Sequence, residues 1–136
     1  MSEKTVYLAG KMTGLTHDEM NKWRVEIKDK ITDISNRKVV NPVEHFQIGG
    51  NEAEAHKYDL YRLRNSNLVI VNMNHINSLG TSWELGVANE LGIPIIGLCD
   101  DKNSQYVHSW WKLSALYIAN SVDDLIRYFD MHFCTD

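Results

Sequence analysis

Short apolar runs alternate along this chain with longer segments of helical periodicity, and this alternation constrains the fold more than any other feature. The apolar runs are Thr5–Ala9, Val39–Val40, Leu68–Val71, Ile93–Leu98 and Leu116–Ile118. Short runs bounded by glycine, proline or asparagine are typical of strands that are buried on both faces of a parallel sheet. The sequence therefore predicts repeated β-α-β units.

The segments between the runs predict the helices. The first helix is expected to begin at Thr16, which forms a capping box with Glu19, and to end near Asn36. Its apolar residues recur at three- and four-residue steps: Met20, Trp23, Ile27, Ile31 and Ile34. The other helices are predicted over Glu52–Ser66, over Thr81–Leu91 and from Ser121 onward, with a loop over Val43–Gly50 and an irregular or partly helical stretch over Asp100–Lys112.

This order of elements predicts an α/β fold, a flavodoxin-like doubly wound parallel sheet of about five strands. Ligands of such sheets bind beyond the carboxyl ends of the strands, where the strand order reverses. The loops after Ala9 and after Val71 are therefore expected to line one crevice. The first of these loops, Gly10–Gly14, is flanked by glycines.

Composition narrows the class of protein. The 136 residues, 43% of them hydrophobic, predict one globular domain spanning 1–136. A net charge of -4 argues against a grip on duplex nucleic acid and favours a small-molecule partner. The two cysteines and six histidines show no metal-ligand spacing, and no cofactor is expected. Without a signal peptide or an apolar run long enough for a membrane helix, a cytoplasmic protein with free thiols is expected.

Three features in a fixed order carry a resemblance to a known family. The first strand ends in Tyr7-Leu8-Ala9-Gly10, and Asp59 precedes the central strand. The signature Gly-Thr-x-x-Glu-Leu-Gly-x-Ala follows the central strand and begins at Gly80. Together these features, which span roughly residues 5 to 98, resemble the nucleoside 2-deoxyribosyltransferase family. The family includes related hydrolases of nucleoside 5'-monophosphates.

The resemblance implies an enzyme that breaks or exchanges an N-glycosidic bond. The carboxylate of Glu84 would attack C1' of the sugar, giving a covalent glycosyl-enzyme that water or a second base resolves. Tyr7 would orient Glu84, and Asp59 would hold the sugar or the leaving base. The residues themselves also allow a structural interpretation, because Thr81 and Glu84 have the spacing of a second capping box.

The resemblance also implies which residues bind the substrate: Gly10, Lys11, Met12, Thr13, Ser78, Gly80, Ser82, His108 and Ser109. In the monophosphate hydrolases, the first loop and a serine matching Ser78 hold the 5'-phosphate, whereas transferases tend to have an aspartate at that position. Lys11 adds a cation to a loop whose amides suit an anion. Thr13 replaces an arginine of the hydrolases, so the resemblance favours a 5'-monophosphate only slightly.

The cluster His108-Ser109-Trp110-Trp111 has two interpretations. In the family, a residue near this point crosses a subunit interface and completes the neighbouring pocket, which predicts a homo-oligomer. Alternatively, the tryptophans cover this chain's own sheet. Three alternatives to hydrolysis of a common nucleotide stay open: a true base-exchanging transferase, an enzyme acting on a modified nucleotide or a dinucleotide, and a non-catalytic nucleotide-binding or signalling module.

Overall fold

The computed structural model describes residues 4–45 and 52–134 as a parallel sheet covered by helices. The strands are β1 Thr5–Ala9, β2 Lys38–Val40, β3 Leu68–Asn72, β4 Ile95–Leu98 and β5 Tyr117–Ala119. The helices are α1 His17–Ile34, α2 Glu52–Arg64, α3 Leu79–Glu90, α4 Ser109–Ser114 and α5 Val122–Phe133. Short 3-10 turns cover Pro42–His45 and Ser104–Tyr106. The rest of the predicted loop over Val43–Gly50 lies outside the described residues.

All five strands are parallel, in the order β2-β1-β3-β4-β5. This is the flavodoxin-like doubly wound sheet that the sequence predicts. The order reverses between β1 and β3, which pair from Val6 with Leu68 to Ala9 with Val71. The carboxyl ends of these two strands therefore meet, and a carbon added at Gly10 would lie 3.5 Å from Cβ of Asn72. The loops after β1 and β3 border one crevice, as predicted.

The two faces of the sheet bury different sets of side chains because successive residues of a strand point to opposite faces. On one face Val6 and Leu8 pack with residues of α1 and α5, such as Ile27 and Phe129. On the other face Tyr7 and Ala9 pack with residues of α2 and α3: Leu63, Leu85 and Ala88. The side chain of Tyr7 consequently faces the layer that contains α2 and α3.

Local capping explains most helix boundaries. Thr16 and Glu19 form the predicted capping box at the start of α1, and Ser121 accepts a hydrogen bond from the amide of Asp124 at the start of α5.

Trp23 is half-buried against the core, as expected. Both cysteines are free. Among the described residues, no helix is both long and apolar enough to cross a membrane.

Candidate active site

Tyr7 and Glu84 are brought together from separate segments of the chain. The hydroxyl of Tyr7 donates a hydrogen bond to Oε2 of Glu84, with an oxygen-to-oxygen distance of 2.5 Å. Tyr7 is fully buried in the middle of β1 rather than at its end, where the sequence placed it, and it reaches Glu84 across the layer between sheet and helix. Within the described part of the chain, Oε1 of Glu84 accepts no hydrogen bond and is left for a ligand.

The alternative interpretation, in which Glu84 forms a capping box with Thr81, does not agree with the structure. Helix α3 begins at Leu79, two residues before the predicted start, and its N-cap is Ser78. The hydroxyl of Ser78 accepts a hydrogen bond from the amide of Thr81 at 3.1 Å. Glu84 lies in the second turn of this helix, past the amides that need a cap. Its carboxylate is therefore available for a role other than capping.

Burial raises the pKa of Glu84 well above that of an exposed glutamate. Loss of solvation raises the pKa of its carboxyl group from 4.5 to about 7. The hydrogen bond from Tyr7 and the charge of Arg24 oppose this rise, whereas the negative charge of Asp59 adds to it. The phenolic pKa of Tyr7 is raised in turn, first by burial and then by Glu84, so Tyr7 stays a hydrogen-bond donor at neutral pH.

Asp59 lies on α2 and contributes a second carboxylate to this region. Its side chain is half-buried, and burial raises the pKa of its carboxyl group to about 6 against the opposing charges of Arg24 and Arg62. Asp59 also raises the pKa of Tyr7 and of Glu84 through its charge, which places it within electrostatic reach of both. The three predicted catalytic side chains therefore form one electrostatically coupled group.

Arg24 belongs to the same group and was not predicted from the sequence. It lies on the apolar face of α1 and is only 1% exposed, although its side chain is charged. Its guanidinium donates hydrogen bonds to the carbonyls of Leu8, Gly10 and Met20. A signal was present, since Arg24 shares the helical face of Met20 and Ile27. A charged residue on a buried face needs a partner there.

The glycine-flanked loop folds tightly against this region. A carbon added at Gly10 would lie 2.8 Å from Cζ2 of Trp23 and 3.3 Å from Nη2 of Arg24, so the tryptophan would have to shift to make room for any other residue. A turn follows, in which the amide of Leu15 donates to the carbonyl of Met12 and Gly14 adopts a φ of 86°. Lys11 and Met12 are half-buried, and Thr13 is exposed.

The predicted substrate-binding residues of α3 lie at its N-terminus. Besides capping the helix, Ser78 donates its hydroxyl to Oγ1 of Thr81 at 2.8 Å. Gly80 is exposed. Ser82 is also exposed, and its hydroxyl accepts a hydrogen bond from the indole of Trp111 at 3.0 Å. Ser82 thus ties α3 to α4, and its predicted contact with substrate stays a prediction.

A separate groove of about 950 Å³ lies between α3 and α4. It is lined by Ser78 and Ser82, by His108, and by apolar side chains that include Leu79, Trp110 and Leu113. Among the described residues that line it, none is Tyr7, Asp59 or Glu84. The groove is therefore distinct from the carboxylate group, although both border α3.

The two tryptophans of α4 have different environments. Trp111 is 8% exposed and packs in the core, which agrees with the interpretation that it covers this chain's own sheet. Trp110 is 77% exposed. His108 caps α4 by accepting a hydrogen bond from the amide of Trp110, and Ser109 is exposed. Within the described ranges, no group of three or more histidine, cysteine or acidic side chains is placed to hold a metal ion.

Solved structures with the same fold include a CMP N-glycosidase and a 2-desoxiribosyltransferase. A conserved protein from Enterococcus faecalis V583 superposes with a TM-score of 0.74 and 18% identity, covering 97% of this chain and 100% of its own. The CMP N-glycosidase BcmB of Clostridium botulinum superposes with a TM-score of 0.68 and 22% identity, over 96% and 100%. A 2-desoxiribosyltransferase from Leishmania mexicana gives 0.63 and 18%, over 96% and 99%.

These superpositions establish the shared fold, and the sequence profile establishes the family. No curated protein matches the chain. The profile of the nucleoside 2-deoxyribosyltransferase family matches residues 6–124, a range that contains Tyr7, Asp59 and Glu84. The chain therefore belongs to the nucleoside 2-deoxyribosyltransferase family.

Proposed function

We propose that this chain hydrolyses the N-glycosidic bond of a nucleoside 5'-monophosphate through a covalent glycosyl intermediate on Glu84. The observation that carries the proposal is the carboxylate of Glu84, fixed by the hydroxyl of Tyr7 at one oxygen and left without a partner at the other among the described residues. A fixed carboxylate with one free oxygen suits attack on a sugar carbon.

The reaction has two steps. In the first, Oε1 of Glu84 forms a bond to C1' while the C1'–N bond breaks, and the bonding electrons leave with the base, which takes up a proton. In the second, water attacks C1', releases the Glu84 carboxylate and gives the free sugar 5'-phosphate. The negative charge of Glu84 stabilises the positive charge that develops on the sugar in both steps. Asp59, which lies within electrostatic reach of Glu84, would contact the sugar or the base.

Two features support a substrate that carries a phosphate. Lys11 lies on the loop that follows β1. Strand β1 pairs with β3, and β3 is the strand that precedes α3. The first turn of α3 contains no acidic residue, and the first amides of a helix have no acceptor within it. A phosphate bound near these amides would meet the positive end of the helix dipole without a repelling carboxylate.

Substrate profiling tests the proposal and separates it from the alternatives. The protein is incubated with nucleosides and with their 5'-monophosphates, each with and without a second base, and products are separated by chromatography. Release of free base and sugar 5'-phosphate supports the proposal. Exchange of bases on free deoxynucleosides identifies a transferase, and binding without turnover identifies a non-catalytic module.

The phosphate contact has its own test in Lys11→Ala, with Lys22→Ala as a matched control on the exposed surface of α1. A charged contact to phosphate is worth about 1.5–3 kcal/mol. We expect Lys11→Ala to lower kcat/KM for the monophosphate roughly ten- to a hundredfold and to leave the parent nucleoside unaffected. Equal losses for both substrates, or no loss at all, would contradict the assignment.

We also propose that the chain forms a homo-oligomer through the groove between α3 and α4. Three large apolar side chains that line the groove are highly exposed: Leu79 at 90%, Leu113 at 81% and Trp110 at 77%. Exposed apolar side chains clustered in this way are typical of interaction surfaces. Light scattering on Trp110→Ala should show a smaller species than wild type, whereas Met131→Ala, a control exposed on α5, should not. A monomeric and fully active wild type would refute this proposal.

A further inference from the structure

Arg24 holds the carboxyl end of β1 through its guanidinium. Nε donates to the carbonyl of Leu8 at 3.4 Å, Nη2 donates to the carbonyl of Gly10 at 3.0 Å, and Nη1 donates to the carbonyl of Met20. Leu8 and Gly10 flank Ala9, the last residue of β1. Only a planar group with several fixed donors can satisfy these carbonyls together, and a lysine amine offers no such fork.

The charge of Arg24 is not consumed by a contact ion pair. In the part of the chain that the structure describes, the contact ion pairs join Lys28 to Glu44 and Arg127 to Asp124, and none involves Arg24. The face of Trp23 lies 4.6 Å from the guanidinium carbon. Burial lowers the pKa of Arg24 to about 10, so the group still carries its positive charge at neutral pH.

A buried charge without a contact ion pair costs stability even when it is hydrogen-bonded. The opposite charges that Arg24 senses are those of Glu84, of the Tyr7 phenol when ionised and of Asp59, and its own charge lowers the carboxyl pKa values of both Glu84 and Asp59. The described groups that face Glu84 are thus Tyr7 on β1, Asp59 on α2 and Arg24 on α1. Arg24 is the one cation among them.

We infer that Arg24 is a positioning residue of the active site, which fixes the end of β1 and the Gly10 loop and adds a positive charge to the surroundings of Glu84. Helix α1 packs on the opposite face of the sheet from α3, so this charge reaches the site around the end of β1. The inference rests on the proposed function only in giving Glu84 a catalytic task. The contacts of Arg24 do not depend on that task.

Two substitutions separate the two parts of this role. Arg24→Gln removes the charge, and Arg24→Lys keeps the charge but loses the fork of donors. Arg64→Gln, at an exposed position of α2, is the matched control for the loss of one arginine. The titration of Glu84 is followed by NMR on protein with 13C-labelled glutamate carboxyls, and kcat/KM is measured against pH.

The expected results differ between the variants. In Arg24→Gln, the titration midpoint of Glu84 and the acid limb of kcat/KM should both rise because an opposite charge has been removed, and they should rise by less than in Tyr7→Phe, since the charge of Arg24 lowers the pKa of Glu84 less than the hydrogen bond from Tyr7 does. In Arg24→Lys, the midpoint should stay at the wild-type value, and kcat/KM should fall roughly ten- to a hundredfold at every pH because the loop is displaced. Arg64→Gln should change neither quantity.

Each part of the role can be refuted. An unchanged Glu84 midpoint in Arg24→Gln would overturn the charge role, and wild-type kcat/KM in Arg24→Lys would overturn the positioning role. If Arg24→Gln does not fold, the electrostatic coupling between position 24 and Glu84 is measured from the other side, as the effect of Glu84 on the pKa of the cation. This works because coupling between two sites is reciprocal. The amine introduced by Arg24→Lys should then have a lower pKa when Glu84→Gln is added, and an unchanged amine pKa overturns the charge role. Absence of turnover in wild type would refute the proposed function, while the titrations would still decide the charge role of Arg24.

Discussion

Replacing Glu84 with glutamine is expected to abolish turnover and to stabilise the fold at the same time. Glutamine keeps the shape of the side chain and an oxygen that can accept the hydrogen bond from Tyr7. It removes the negative charge that the proposed nucleophile needs. It also removes the cost of holding an ionised carboxylate in a buried position. A residue retained for chemistry at the expense of stability should show both effects.

The magnitude of the stabilisation follows from the pKa of Glu84. Folding raises this pKa from 4.5 to about 7, so between these values the folded state binds more protons than the unfolded state. Wild-type stability therefore falls as the pH rises through this window. A shift of this size, at about 1.4 kcal/mol for each pKa unit, corresponds to about 3 kcal/mol. Glu84→Gln should avoid this loss above pH 7 and should differ little from wild type near pH 4.

Urea denaturation of wild type and Glu84→Gln at several pH values measures the difference in the free energy of unfolding. Glu90→Gln, at an exposed position of the same helix, is the control for the loss of one negative charge and should show no comparable gain. If Glu84→Gln is less stable than wild type above pH 7, or if the difference between them does not depend on pH, the reasoning about burial is refuted. Retained turnover in a folded Glu84→Gln would refute the role of Glu84 as nucleophile.

Three further substitutions test the surroundings of Glu84. Tyr7→Phe removes a donor to the carboxylate worth about 1.5–3 kcal/mol, so the acid limb of kcat/KM should rise by about one to two pH units; an unshifted limb would contradict the hydrogen bond. Asp59→Asn removes a neighbouring negative charge, so the same limb should move to lower pH, and a shift upward would argue against their coupling. Gly10→Ala places a carbon 2.8 Å from Trp23 and should lower the free energy of unfolding by about 1–3 kcal/mol, measured with urea; wild-type stability would show that the tryptophan yields freely.

The sequence predicted the sheet well because its strands are marked by local signals. Each run of buried apolar residues is short and clearly bounded, and the helices between them leave few possible connections for a parallel sheet. The predicted strand Leu68–Val71 is observed as Leu68–Asn72, and the fifth strand is displaced by one residue from its prediction. The periodicity of apolar residues and the positions of glycine and proline were therefore sufficient to predict the sheet and the place of the crevice.

The start of α3 was predicted wrongly because two local signals compete there. Ser78 and Thr81 can each cap a helix, and Glu84 completes a capping box only with Thr81. In the structure Ser78 is the cap, and the carboxylate of Glu84 instead accepts a hydrogen bond from Tyr7, which is 77 residues away in sequence. A local spacing rule cannot include this contact.

Arg24 escaped prediction for a related reason. Helical periodicity identifies which face of α1 is buried, but it treats a charged residue on that face as an interruption. The partners of Arg24 are mainly backbone carbonyls. Because every residue has a backbone carbonyl, the sequence does not show which of them will accept a hydrogen bond from Arg24. The candidate catalytic side chains were named from the family's motif, and their roles stay predictions. The groups that change the pKa of these side chains depend on the packing of elements distant in sequence.

The acidity of Glu84 results from opposing effects, and their balance suits the proposed chemistry. An exposed carboxylate is ionised at neutral pH but is a weak nucleophile, and a buried carboxyl without partners would stay protonated. Burial makes Glu84 more basic, while Tyr7 and Arg24 limit the rise and leave its pKa at about 7. Catalytic groups work best with a pKa near the operating pH. Because the opposing effects come from β1, α1 and α2, the reactivity of Glu84 depends on the fold as a whole, and a change in any of these elements should appear first in the pH dependence of turnover.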